Sequence, residues 1–191
     1  MKKKIHIFIF EGFSDWEISY LTPEIKKSAE YEPIFISKHE TPIRSMGGML
    51  ITPDVSLNLV DVNDIEMLIL PGGEAWDQHD NNEINDLVLE LHKRNKHIAA
   101  ICAATAYLCE MGFLDSVKHT SNDISYLKWI VPKYSADSNY VNIPAITGGN
   151  IITAGGVYPI EFAKEVFRAI NLKSEDDIEK WYQLFKNGVW Q

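Results

Sequence analysis

Cys102 stands where the short apolar run Ile98–Ile101 meets a stretch of small residues beginning with Ala103 and Ala104. A strand that passes into a helix with no loop between them has the geometry of a nucleophile elbow, which projects one side chain above a sheet. A thiol held at a helix N-terminus feels a dipole that favours the thiolate, and this predicts a pKa below about 8.5. The same residues also fit a buried cysteine that fills a core position. Pro71-Gly72-Gly73 ends a second apolar run, Met67–Leu70. Glycines there leave backbone N–H groups unobstructed. An oxyanion hole needs two such donors, so Gly73 pairs with Ala103, the residue after the nucleophile. An ordinary strand-ending turn would read the same way. Glu17 follows the first apolar run and fits either a general acid/base beside the thiol or a solvated glutamate alongside Asp15.

The chain has six histidines. His119, in Val117-Lys118-His119-Thr120, is the candidate base, because a Cys–His pair is the simplest activation of a thiol. His6 alternates with apolar neighbours and reads as structural, while His39, His79, His92 and His97 read as surface. Cys109 lies further along the same expected helix, about 10 Å away at 1.5 Å per residue, beyond disulfide reach. No HExxH, CxxC or close His/Asp cluster appears, so no metal site is expected. Neither GxGxxG nor a Walker loop is present.

The elements that must position these groups alternate between apolar runs and amphipathic stretches, the βαβ pattern. Strands are expected at Ile5–Phe10, Pro33–Ser37, Met67–Leu70 and Ile98–Ile101. Hairpins are expected at Ile43–Met46 with Met49–Thr52, and at Val141–Ile146 with Asn150–Thr153. Helices are expected over about 14–30 with a bend at Pro23, from an Asn82 cap to Arg94, from Ala103, over Pro159–Ile170, and from a Ser174 cap to about Lys186. Functional groups in a parallel sheet collect at the carboxyl ends of its strands. Three of the segments named above fall there: Glu11–Glu17, Pro71–Trp76 and Cys102–Thr105.

The chain is 191 residues long, which fits one domain spanning 1–191 with no linker or repeat. Its net charge of −9 and single basic run, Lys2-Lys3-Lys4, argue against a nucleic-acid surface. No segment reaches the roughly 20 apolar residues of a membrane span, and Ile5–Phe10 is shorter than a secretory apolar core of about 7–15 residues. Two cysteines form no disulfide framework, and the expected setting is reducing and cytoplasmic.

Taken together, GFSDWE, LILPGG with its following Trp76, AAICAATAYLCEMGFLD, VKHT and ITAGGVYPIEFAKEV resemble the ThiJ/PfpI superfamily, which includes the Parkinsonism-associated deglycase-like proteins. The order and spacing of these blocks carry the resemblance, which runs over nearly the whole chain. It implies a flavodoxin-like α/β sandwich of three layers, with helices on both faces of a mostly parallel sheet, and a homodimer. Cys102 matches the reactive cysteine, Glu17 the acid hydrogen-bonded to it, and His119 the nearby histidine. Gly73 and Ala103 match the oxyanion positions. Gly155 and Gly156 are expected to border the pocket, with Gly72, Trp76 and Thr120 among its other lining residues.

PfpI-type proteases place a histidine directly after the nucleophile, where this chain has Ala103, so peptidase activity is disfavoured. Class I glutamine amidotransferases take a His-x-Glu pair from near the C-terminus, and no histidine follows His119. The isocyanide-hydrating relatives use an aspartate where Glu17 stands and a threonine after the cysteine. What the resemblance implies is cofactor-free attack of Cys102 on a small electrophilic carbonyl compound, of the glyoxalase or deglycase kind, or a role in stress response. The competing expectation is a non-catalytic redox or stress protein working through oxidation of Cys102. A third is a structural or chaperone-like dimer.

Overall fold

Strands covered on both faces need no polar alternation, and the centre of the sheet is built from runs that have none. A computed structural model describes residues 2–190 and contains nine strands and seven α-helices. The strands are β1 (Lys3–Phe8), β2 (Tyr31–Ser37), β3 (Ile43–Arg44), β4 (Leu50–Ile51), β5 (Val55–Ser56), β6 (Ile65–Leu70), β7 (His97–Ile101), β8 (Ala145–Gly148) and β9 (Ile151–Ala154). The helices are α1 (Thr22–Lys27), α2 (Glu74–Asp77), α3 (Asn85–Lys93), α4 (Ala103–Glu110), α5 (Ile124–Ile130), α6 (Pro159–Ala169) and α7 (Glu175–Asn187). Seven strands form one sheet in the order β5-β2-β1-β6-β7-β9-β8, parallel except for the β8–β9 pair. Helices cover both faces, giving the three-layer α/β architecture expected from the sequence.

The four neighbours β1, β6, β7 and β9 are parallel, so their carboxyl ends lie side by side. Each leads into a candidate segment: the loop and turn holding Glu17, Gly72-Gly73, Cys102, and Gly155-Gly156. Beyond β7, every residue of α4 from Ala103 to Cys109 is buried, as expected of a helix that is apolar all round.

Several element boundaries differ from the sequence reading. The helix expected over about 14–30 is a short 3-10 turn, Asp15–Glu17, followed by α1. Pro23 does not bend a helix. It lies in the first turn of α1, where its missing N–H costs nothing. Asn82 is not a cap; Asn82–Ile84 is itself a 3-10 turn leading into α3. The second hairpin is shifted toward the C-terminus, with Gly149 at φ +63° between β8 and β9. Ser174 does cap α7, its side chain accepting from the Asp177 N–H. The strand β5 and the helices α2 and α5 had no counterpart in the sequence reading. Among the described residues, no helix is long and apolar enough to cross a membrane.

Candidate active site

Cys102 has φ +61° and ψ −129°, a conformation that costs free energy for any residue with a side chain. The strain is held by its surroundings. The Cys102 N–H donates to the Ala154 carbonyl of β9 at 3.0 Å, and its own carbonyl accepts from Thr105 Oγ1 at 2.6 Å. This is the sharp strand-to-helix turn predicted at that position, and it lifts the side chain to the end of the sheet.

Two glycines give the sulfur its room. A Cβ on Gly72 would lie 2.6 Å from the Cys102 Cβ and 2.9 Å from Glu17 Oε2. A Cβ on Gly156 would lie 2.7 Å from the sulfur and 3.1 Å from Glu17 Oε1. The sulfur and Oε1 therefore both border the space beside Gly156, and only glycine leaves that space open.

Glu17 is fully buried. Its Oε2 accepts from the Gly72 N–H at 2.6 Å, whereas Oε1 has no hydrogen-bond partner among the described residues. Burial disfavours the charged carboxylate and raises its pKa to about 7, against the pull of the Gly72 N–H and the neighbouring Cys102 and Ser14. The thiol is also raised, to about 11, first by burial and then by the Glu17 charge. The Asn122 amide and the Ala103 N–H act in the opposite direction and are outweighed. The expected low thiol pKa is thus corrected. With a buried carboxylate as neighbour, the resting pair keeps its proton on sulfur.

Asn122 was missed by the sequence reading. Its Oδ1 accepts from the Gly156 N–H at 2.8 Å, which fixes the amide so that Nδ2 donates to the Cys102 sulfur at 3.4 Å. Nothing local marks it except its place just before Asp123, which caps α5. Above it, Trp16 is partly exposed and donates from Nε1 to the Gly156 carbonyl at 3.4 Å, forming part of the rim. Tyr126, on α5, reaches across to Asp77 on α2 at 2.8 Å.

Three expected site residues are placed elsewhere. Both ring nitrogens of His119 are taken, Nδ1 by the Val117 carbonyl at 2.8 Å and Nε2 by the Tyr134 hydroxyl at 2.9 Å. Its ring packs edge-on to Tyr134 and Tyr140, and burial lowers its pKa, so it has no free nitrogen to take a proton from Cys102. Thr120 spends its N–H on Thr153 Oγ1 and its hydroxyl on the Ile143 carbonyl, and it is buried. Trp76 is buried among Phe8, Phe10 and Tyr107, with Nε1 bonded to the Pro71 carbonyl at 2.8 Å, so it is core and not pocket.

The oxyanion pair is arranged more simply. Ala103 is the first residue of α4, and Gly73 precedes α2, so neither N–H has an intrahelical acceptor. Gly73 has φ +150°, and a Cβ there would meet the Phe10 ring at 2.7 Å. Gly155 donates to the Pro144 carbonyl at 3.2 Å, and a Cβ there would meet the Ser121 carbonyl at 3.0 Å. Among the described residues, no group of three or more His, Cys, Asp or Glu could hold a metal ion.

The profile of the DJ-1/PfpI family matches residues 3–169. The Bacillus subtilis protein named uncharacterized protease YoaZ is 34% identical over 191 residues, spanning 96% of this chain and 91% of its own. The crystal structure of a thiJ/pfpI family protein from Bacillus anthracis superposes with a TM-score of 0.91 at 35% identity, covering 99% of this chain and 92% of that one. Deglycase TK1284 from Thermococcus kodakarensis is 26% identical over 147 residues, which are 73% of this chain and 88% of its own length.

Proposed function

The chain belongs to the DJ-1/PfpI family, and on that premise we propose that it is a cofactor-independent enzyme whose Cys102 thiol attacks small electrophilic carbonyl compounds such as α-oxoaldehydes. One observation carries the reading. A strained cysteine and a buried carboxyl oxygen without a partner border the same opening, and that carboxyl group titrates at about 7. A base with a pKa near working pH is the most effective proton shuttle.

With methylglyoxal, Glu17 takes the thiol proton as sulfur bonds to the aldehyde carbon, and the developing oxyanion is met by the N–H groups of Gly73 and Ala103. Glu17 returns that proton to the oxyanion, giving a hemithioacetal. The carboxylate then removes the proton from the former aldehyde carbon, leaving an enediolate; the hydroxyl proton passes from the first oxygen to the second, and Glu17 delivers the carbon-derived proton to the adjacent carbon. The result is the thioester of lactate on Cys102. Water hydrolyses it, releasing lactate and the free thiol, so the net reaction adds one water to one methylglyoxal. Asn122 orients the sulfur, and His119 with Tyr134 braces the wall behind the site.

The name deglycase, carried by the Thermococcus kodakarensis relative, agrees with chemistry on carbonyl adducts. The name protease, carried by YoaZ, is not transferred, because Ala103 stands where PfpI-type proteases have histidine. The test is lactate formation from methylglyoxal by the wild-type chain and by Cys102→Ser. Turnover that disappears in the variant supports the reading, and no turnover of any α-oxoaldehyde by the wild type overturns it.

A second reading makes Cys102 a site of oxidation. It is favoured by the unpartnered Oε1, since a protonated Glu17 could donate from there to a sulfinate oxygen. Ready conversion of Cys102 to sulfinate by peroxide, in a protein that turns over no carbonyl substrate, would select it.

A further inference from the structure

A cavity of about 560 Å³ opens beneath the β3–β4 hairpin, between the loop after β1, the end of β2 and the segment from α2 to Asn81. This volume lies within the ordinary range of small-molecule sites. Cys102, Glu17 and Asn122 do not line it. Phe10 and Gly12, which a Cβ on Gly73 would meet, form part of its wall, so the backbone at Gly73 separates it from the sulfur.

The lining has a definite chemical character. Phe10, Ile43 and Met46 provide an apolar surface. Glu11, Glu74, Asp80 and Glu83 bring four carboxylates, against Lys38 and His39. Among the described residues none of these six takes part in an ion pair; Glu11 accepts only from the Arg44 backbone N–H at 3.0 Å. A concave site lined by an excess of one charge concentrates ligands of the opposite charge.

A second, independent feature is Asn81. It lines the cavity, is only 4% exposed, and its Nδ2 has no hydrogen-bond partner among the described residues. A buried amide donor left unpaired is destabilising, and a ligand relieves this by supplying an acceptor.

From this combination we propose that the cavity is a second ligand site, which takes a small aliphatic amine that also carries a hydroxyl group. The ammonium group is met by the carboxylates, the carbon stem lies on Phe10, Ile43 and Met46, and the hydroxyl oxygen accepts from Asn81 Nδ2.

Isothermal titration of the full chain with 4-aminobutan-1-ol and with 5-aminopentan-1-ol tests this, using butane-1,4-diol and succinate as neutral and anionic probes of similar length. Saturable one-to-one binding of an amine is expected. It should weaken at least tenfold in the combined Glu74→Gln, Asp80→Asn, Glu83→Gln variant and at least tenfold in Asn81→Leu, and be unchanged in Cys102→Ser. Should Asn81→Leu fail to fold, the side-chain amide resonance of Asn81 in the ¹⁵N-labelled wild type replaces it and must shift in step with the heat. The proposal is overturned by absence of saturable amine binding, by diol or succinate binding as tightly as the amines, or by an Asn81 variant or resonance that does not respond.

Discussion

The two cysteines lie on the same stretch of chain, Cys102 at the start of α4 and Cys109 near its end, and burial raises both thiols, to about 11 and about 12. Resting acidity therefore does not tell them apart. What differs is the company each keeps. Cys102 is strained, and residues far apart in sequence converge on it: Glu17, Gly72, Asn122 and Gly156. Cys109 lies in regular helix, buried at 5% exposure, with only the charges of Asp115 and Glu110 acting on it. On the proposed function, the difference teaches that reactivity would come from a neighbouring carboxyl group and fixed donors, not from the thiol alone.

The sharpest way to break the contrast is to remove each sulfur in turn. Cys102→Ser should lower carbonyl turnover by about 10³-fold or more, whereas Cys109→Ser should stay within about twofold, both read as kcat/KM. Glu17→Gln keeps the shape and an acceptor for Gly72 but removes the base, and a loss of about 10²–10³ is expected. The pH profile sharpens this further. Wild-type kcat/KM should rise through about pH 7 as Glu17 ionises, and that limb should vanish in the variant.

The same carboxyl group makes a prediction about stability. Its folded pKa, about 7, exceeds its ordinary value of 4.5, so the folded state holds its proton more tightly. Its contribution is fully present below pH 4.5 and is lost as pH rises through 7, an effect on the order of a few kcal/mol. Thermal unfolding of Glu17→Gln should therefore show a higher Tm than wild type at pH 8, with the gap closing by pH 4. A gap that does not depend on pH would refute the burial argument.

Asn122→Ala should cost about tenfold in kcat/KM, since it loosens the sulfur without removing the base. Tyr134→Phe should have the smallest effect on activity, within about threefold, while costing about 1–2 kcal/mol of stability in chemical denaturation, because it strands His119 Nε2 in the interior. A hundredfold loss of activity in Tyr134→Phe would instead return His119 to the site.

The sheet was legible where burial on both faces writes a continuous apolar run, as at Met67–Leu70 and Ile98–Ile101. The elbow was legible because a strand with no loop before a helix of small residues has few other geometries. Side-chain direction in loops was not. Along the chain, His119 and Asn122 are three residues apart, yet a bridge between His119 and Tyr140 turns the histidine toward Tyr134, while the Gly156 N–H draws Asn122 to the sulfur. Both outcomes depend on partners remote in sequence. The segment 14–30 was misread for a related reason: Ile18, Leu21 and Ile25 mimic helical spacing but are buried by contact with the rest of the fold, while Trp16 in the turn is exposed and Pro23 begins the next helix.

The β3–β4 hairpin stands outside the main sheet, and besides the bond from the Arg44 N–H to Glu11, three hydrogen bonds fasten it to the segment that carries Glu17. Gly12 N–H donates to the Arg44 carbonyl at 2.8 Å, Met46 N–H to the Phe13 carbonyl at 2.9 Å, and Ser45 Oγ to the buried Asp15 carboxylate at 2.7 Å. Hydrogen exchange should then report a single opening unit, with the Gly12 and Met46 amides exchanging at matched rates well above those of β6 and β7. Each such opening would release the segment that carries Glu17 from its clasp, so the lifetime of the hairpin sets how long the candidate site stays assembled between excursions.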